Sequence, residues 1–160
     1  MEPQTVVVYA SNDHWTRTAL HLALALARTR KLEIALFEMI PVQHLAWLGT
    51  ELGYQDHVMK NYAQLRGYEQ IAQEYGVSLS TYFFQYYSSL SEAIVDSARQ
   101  LDAAVVFATL PNTTLAVWRK YQLRRLKNQL MKQQCQLFTL EKPANTPDWT
   151  PSITAPVLRK

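Results

Sequence analysis

The sequence predicts an α/β domain in which helices cover both faces of a parallel β-sheet, a three-layer α/β/α arrangement. Five short runs rich in β-branched and aromatic residues alternate with four segments of helical periodicity. The connections between them are short, which is typical of β-α-β units. A length of 160 residues suits one domain with a substantial core. We place this domain at residues 1–142 and a proline-rich tail at residues 143–160.

The first half of the chain contains three of the five predicted strands. Residues 5–10 (TVVVYA) are the unbroken apolar run of a strand buried on both faces, and the next three residues offer N-cap chemistry for a first helix. The second strand spans residues 32–40 and is ended by Pro41. After a connection over residues 43–55, a helix spans residues 56–75 and closes at Gly76. Its expected apolar face is Val58, Tyr62, Leu65, Ala72 and Tyr75. Residues 77–87 form the third strand.

The second half continues the alternation. Ser88 or Ser89 caps a third helix, since the spacing from Ser89 to Glu92 matches a capping box. The buried face of that helix is expected at Ala93, Ile94, Ser97, Ala98 and Leu101. Residues 103–108 form the fourth strand, and Asn112 or Thr113 caps a helix that runs to about residue 133. Residues 135–140 form a short fifth strand, either a member of the parallel sheet or a separate edge strand.

Composition excludes several classes of protein. No apolar run approaches the roughly 18 residues that span a bilayer, and the N-terminus lacks the basic start of a signal peptide. A single cysteine, Cys135, excludes an internal disulfide, and we expect it to be a small buried apolar side chain. These observations favour a reducing, cytoplasmic setting without a membrane partner.

Charge is distributed unevenly along the chain. Residues 1–110 contain seven Lys/Arg and eleven Asp/Glu, whereas residues 111–160 contain nine Lys/Arg and two Asp/Glu. The predicted fourth helix is basic and has Trp118 and Tyr121 interleaved, which would suit contact with a nucleotide or nucleic acid. We favour the simpler interpretation that its charges are the solvated face of a helix, with a buried stripe at Leu115, Trp118, Leu126 and Leu130.

Residues that carry chemistry do not form a recognisable catalytic or metal motif. The histidines, His14, His21, His44 and His57, lack zinc-ligand spacing. Ser11, Asp13 and His14 are close in sequence, but no glycines of a nucleophile elbow surround them. We therefore predict no enzyme activity, no metal site and no cofactor.

Ligands of parallel sheets bind at the carboxyl ends of the strands where strand order reverses. Here that point lies after strands one and four, at residues 11–13 and 108–109. The segment after strand four, residues 109–114, has no glycine for a phosphate-binding turn.

Over residues 5–140 the chain resembles the universal stress protein family (UspA-like domains). The resemblance rests on residues 6–13 followed by 17–20, and on strand two ending in Met39-Ile40-Pro41. It also rests on residues 90–98 with 101–106, and on Leu130 with residues 135–140. It implies a Rossmann-like fold of the adenine nucleotide alpha hydrolase type and a homodimer formed through the last strand. That interface would comprise Gln136, Leu137, Phe138, Thr139 and Leu140.

The same resemblance weighs against ATP bound in the manner of the family. Ser11 takes the position of the aspartate that ends strand one in ATP-binding members, with Asp13 two places on. Phe107 takes the position of the glycine that normally follows strand four in the family. Leu123-Arg124 takes the position of the Gly-Ser or Gly-Thr that closes the family's glycine-rich phosphate loop. We therefore expect a regulatory or stress-response domain. The alternatives are a domain that binds another nucleotide or anion through arginines, and a nucleic-acid-binding dimer. The candidate ligand residues are Ser11, Asn12, Asp13, Met39, Ala108, Thr109, Arg124 and Arg125.

Overall fold

A computed structural model describes residues 4–41, 51–86, 89–111 and 115–141. Within these residues, five strands alternate with four helices. The strands are β1 (Thr5–Tyr9), β2 (Glu33–Pro41), β3 (Leu79–Tyr86), β4 (Ala103–Phe107) and β5 (Gln136–Phe138). The helices are α1 (Asp13–Arg30), α2 (Glu51–Glu74), α3 (Leu90–Gln100) and α4 (Ala116–Lys132). No helix in this part of the chain is long and apolar enough to cross a bilayer.

All five strands belong to one sheet, in the order β3-β2-β1-β4-β5, and every pairing is parallel. The predicted α/β class is confirmed, and the fifth strand is a parallel edge strand. Its partner is β4, with Val106 opposite Leu137.

Two apolar cores lie on opposite faces of the sheet, because alternate strand residues point to opposite sides. Val6 and Val8 face α1 and α2, whereas Val7 faces α3 and α4. Each helix pair thus covers one face, which gives the three-layer arrangement.

Local signals at the ends of the elements are confirmed. The Asn12 side chain accepts a hydrogen bond from the Trp15 amide and caps α1. The Ser89 hydroxyl accepts one from the Glu92 amide and caps α3. Gly76 has φ +68, a left-handed backbone conformation that commonly follows the end of a helix and that glycine adopts without strain.

The second helix differs from the prediction at its start. It begins at Glu51, so Gly53 lies inside it and not in a connection. A helix tolerates an interior glycine at a cost of about 1 kcal/mol, which makes glycine a weak boundary marker. Tyr62, expected on the buried face, is exposed; Tyr68, Ile71 and Ala72 are buried. The side chain of Val58 lies outside the described residues.

Pro41 is itself the last residue of β2, whereas the prediction ends the strand at residue 40. Proline is tolerated there because β1 already ends opposite Phe37, so only β3 remains as a neighbour.

The fourth helix begins at Ala116, after Leu115, with no side-chain cap; the predicted caps Asn112 and Thr113 lie outside the described residues. Leu126 and Leu130 are buried as expected, but Leu115 and Trp118 are exposed, so that part of the predicted stripe is wrong. The inward positions recur at intervals of four and three residues and are Arg119, Leu123, Leu126 and Leu130. An arginine therefore takes an inward position in the first turn of α4.

Candidate ligand-binding cleft

A cleft of about 520 Å³ opens where β1 and β4 lie side by side. The connections leave these strands towards opposite faces of the sheet, to α1 and to α4, and so leave a crevice at their carboxyl ends. The lining residues are Ser11, Asn12, Trp15, Thr109, Leu110, Pro111, Arg119, Leu140 and Glu141. The strand-order prediction therefore locates the crevice correctly.

The β1 side of the cleft is held by bonds to the first turn of α1. The Ser11 amide donates to the Thr16 hydroxyl at 3.0 Å, and the Thr16 hydroxyl donates to the Asn12 carbonyl. Trp15 Nε1 donates to the Thr139 carbonyl at 3.3 Å, which ties α1 to the segment after β5. The Ser11 amide, the Thr16 hydroxyl and the Trp15 indole N–H thus form hydrogen bonds within the protein that hold the backbone around the cleft.

The β4 side of the cleft is organised by Arg119. Its Nε donates to the Leu110 carbonyl at 3.1 Å, and its guanidinium also donates to the Thr109 hydroxyl at 3.2 Å. The same guanidinium forms an ion pair with the Glu141 carboxylate. The Arg119 side chain is only 18% exposed and that of Glu141 34%. The cleft's cation is thus neutralised by a carboxylate of the same chain.

Hydrolytic or acid–base chemistry would need a nucleophile next to a base. Among the lining residues, the ionisable groups are Arg119 and Glu141, which are paired with each other. His14 lies on the exposed surface of α1 and does not line the cleft. His44 and the side chain of His57 lie outside the described residues.

Asp13, although adjacent to the cleft residues, has its carboxylate turned towards α2. It accepts hydrogen bonds from Arg17, Gln64 and Tyr68, and the Arg17 bond is the main cause that lowers the pKa of Asp13. Burial, together with the bond to Asp13, raises the pKa of Tyr68 to about 12. Asp13 therefore joins α1 to α2.

The remaining predicted ligand residues are dispersed. Ser11, Asn12 and Thr109 line the cleft, whereas Ala108 is fully buried and its amide donates to the Phe138 carbonyl. Met39 lines a separate depression between β3 and α3, with Phe84 and Ala93. The selection of these residues as ligands stays a prediction, and only three of the eight share the cleft.

The two arginines proposed as phosphate ligands lie on the other side of α4. Arg124 is exposed, and Arg125 forms an ion pair of 3.6 Å with Glu92 of α3. They belong to the helix middle, more than a turn beyond the cleft. Arg119 is the arginine that reaches the cleft, and the sequence carried a signal for it. Tracing the apolar spacing of Leu130, Leu126 and Leu123 back by one turn places Arg119 at an inward position.

The residue-by-residue match to the phosphate loop also needs correction. Phe107 is the last residue of β4, where it is buried and stacked on Phe138 at 5.2 Å. Leu123 and Arg124 lie inside α4, so neither can close a loop before it. The segment in the position of that loop is residues 108–115, which contains no glycine and includes Pro111.

A second cleft, of about 340 Å³, lies at the opposite edge of the sheet, near the amino ends of β1 and β2. Its lining includes Glu33 and Asp102, and it lies away from the strand-order reversal. We regard the cleft at Arg119 as the candidate site because parallel sheets bind ligands at the carboxyl ends of their strands.

The strand predicted to form the dimer, β5, lies at the edge of the sheet, and among the described residues it pairs with β4 only. Phe138 is partly exposed on it. The homodimer stays a prediction.

Comparison with known proteins gives the fold a family context. No family model and no curated protein matches this sequence. Solved structures do match, among them a universal stress protein from Lactobacillus plantarum, with 15% identity and a TM-score of 0.60 over 86% of this chain and 97% of that chain. A family protein from Burkholderia pseudomallei has 13% identity and a TM-score of 0.59 over 86% and 95%. The universal stress protein from Archaeoglobus fulgidus in complex with dAMP has 14% identity and a TM-score of 0.55 over 87% and 100%. The chain therefore has the fold of the universal stress proteins, as the sequence resemblance implied.

Proposed function

We propose that this chain is a non-enzymatic, universal stress protein-like regulatory domain that does not bind ATP in the manner of ATP-binding members. The ion pair between Arg119 and Glu141 carries this proposal, because it places a protein carboxylate against the one arginine among the described residues that line the cleft. A nucleotide phosphate entering there would have to displace that carboxylate.

The backbone after β4 supports the same conclusion. Phosphates in α/β sites are usually held by backbone N–H groups of a glycine-rich turn. Residues 108–115 have no glycine, Pro111 has no N–H, and the Ala108 N–H is donated to Phe138. These residues do not fit the phosphates of ATP.

We propose that the protein is not an enzyme because of the side chains that line the cleft. Their ionisable members are a paired arginine and glutamate, and the Asn12 side chain is engaged as a helix cap. No base contacts the Ser11 hydroxyl within the described residues, so Ser11 lacks the activation that a nucleophile needs.

The test is thermal unfolding of the wild-type protein with ATP, AMP and pyrophosphate. A ligand at 100 times its Kd stabilises a protein by about 2.7 kcal/mol, so binding would raise the Tm visibly. We expect no shift with ATP. A clear rise in Tm with ATP would overturn the proposal.

A second candidate is a domain that binds a small anion through Arg119. It is favoured by the contact of the Arg119 guanidinium with the Thr109 hydroxyl, since both groups can donate to a phosphate oxygen. Glu141→Gln would remove the competing carboxylate. If this candidate is right, pyrophosphate should stabilise Glu141→Gln more than wild type. The control is the double variant with Arg119→Met, which should lose that response. Equal responses in all three proteins would rule out an Arg119 anion site.

A further inference from the structure

Leu115, the residue directly before α4, and the first turns of α4 expose an unusual number of apolar side chains. Leu115 is 83% exposed, Val117 80%, Tyr121 56% and Trp118 52%. The rings of Trp118 and Tyr121 are stacked on each other at 5.5 Å. Single exposed apolar side chains are ordinary, but four within seven residues, two of them stacked on each other, are an unusual concentration of exposed apolar surface.

The same surface is positively charged. The helix contains six Lys/Arg and no Asp/Glu. Arg119 and Arg125 are paired with Glu141 and Glu92. Lys120, Arg124 and Lys127 are exposed, and no carboxylate within the described ranges forms an ion pair with them. We define the α4 patch as Leu115, Val117, Trp118, Lys120, Tyr121, Arg124 and Lys127.

We propose that the α4 patch adsorbs to the surface of an anionic lipid bilayer. The four apolar side chains enter the boundary between headgroups and acyl chains, where tryptophan and tyrosine are favoured. The three cations contact lipid phosphates and anionic headgroups. Leu126 and Leu130 are fully buried and remain in the domain core. Adsorption needs one helix face only, so it is compatible with the absence of a spanning helix in the described residues.

The composition of the patch favours a bilayer over single-stranded nucleic acid. Nucleic acid would use basic side chains and aromatic ring faces. Trp118 and Tyr121 stack on each other, which leaves each ring only one face for a base. Leu115 and Val117, the two most exposed apolar residues, have no part in base stacking, whereas both gain from burial among acyl chains.

The contribution of charge is tested by co-sedimentation of the protein with vesicles of phosphatidylserine and phosphatidylcholine, and with vesicles of phosphatidylcholine alone. We expect the wild type to bind the anionic vesicles only. Each Lys or Arg near an anionic surface strengthens adsorption about fivefold, so Lys120→Gln, Arg124→Gln and Lys127→Gln together should weaken it by about 100-fold.

A matched control removes three exposed cations from the far end of α1, by Arg28→Gln, Arg30→Gln and Lys31→Gln. It changes the net charge equally and should retain most of the vesicle binding. The apolar arm is Val117→Ser with Tyr121→Ser, which should weaken binding by at least about tenfold at constant charge. All these side chains are exposed, and an unchanged Tm will show that each variant is folded.

Three outcomes would overturn the proposal. The wild type could fail to bind anionic vesicles, or the α1 control could lose as much affinity as the α4 triple. The wild type could also bind an oligodeoxythymidylate in place of vesicles, with loss in the α4 triple, which would make the patch a nucleic-acid surface. None of these outcomes depends on the cleft, so the proposed function is tested separately.

Discussion

The ion pair between Arg119 and Glu141 should stabilise the fold by an amount that a double-mutant cycle can measure. The cycle consists of Arg119→Met, Glu141→Gln and the double variant. Exposed ion pairs contribute about 0.2–1 kcal/mol, and breaking a fully buried pair costs about 3–5 kcal/mol. With side chains 18% and 34% exposed, this pair lies between those limits, and we expect a coupling energy of about 1–2 kcal/mol.

The single variants should differ because Arg119 has further contacts. Arg119→Met also removes the bonds to the Leu110 carbonyl and the Thr109 hydroxyl, so we expect a loss of about 3 kcal/mol. Glu141→Gln should cost about 1–2 kcal/mol. The double variant should then be about as unstable as Arg119→Met alone, since Glu141 has already lost its partner.

The assay is urea unfolding followed by circular dichroism, with the exposed pair of Arg99 and Asp96 as a matched control. That pair is 67% and 58% exposed, and it should show a coupling below about 1 kcal/mol. A coupling between Arg119 and Glu141 no larger than that of the control would refute the reasoning, because Glu141 would then not be held in the cleft.

Three further predictions concern stability and reactivity. Gly76→Ala should lower the free energy of unfolding by about 1–2 kcal/mol through backbone strain alone, since φ is +68 and an added Cβ would meet nothing within 4 Å. Chemical denaturation measures this loss of stability, and an unchanged free energy of unfolding would contradict the prediction. Burial raises the pKa of the Cys135 thiol to about 11. A thiol reagent at neutral pH should therefore label the native protein far more slowly than the unfolded chain. Equal labelling rates would contradict this prediction. The lowered folded-state pKa of Asp13 gives stability that is present above the unfolded value of 3.8 and is lost as pH falls through the folded pKa. Asp13→Asn should therefore have a lower Tm than wild type at neutral pH, and the gap should close in acid; a constant gap would argue against this.

The fold could be predicted from the sequence because its local signals agree with its tertiary packing. The apolar run of β1 is buried on both faces, and the Asn12 and Ser89 caps mark the starts of α1 and α3. The start of α2 could not be predicted in the same way. The predicted connection includes Gly53, yet α2 continues through it.

The site could be predicted only in part. Strand order gave the location, and Ser11, Asn12 and Thr109 line the cleft. A register of α4 with Leu115 and Trp118 buried predicts that its basic residues point outwards, whereas in the structure these two residues are exposed and Arg119 lines the cleft. The pairing of Arg119 with Glu141, 22 residues later, depends on β5 returning the chain to the cleft, and no local pattern encodes that contact.

We propose that the cleft does not accept ATP, because a carboxylate of the chain is paired with its arginine and the segment between β4 and α4 contains no glycine. Isothermal titration calorimetry of ATP with magnesium into the wild-type protein tests this most directly. We expect no saturable heat of binding. Stoichiometric binding that is lost in Arg119→Met would contradict it, because Arg119 would then hold a phosphate despite Glu141.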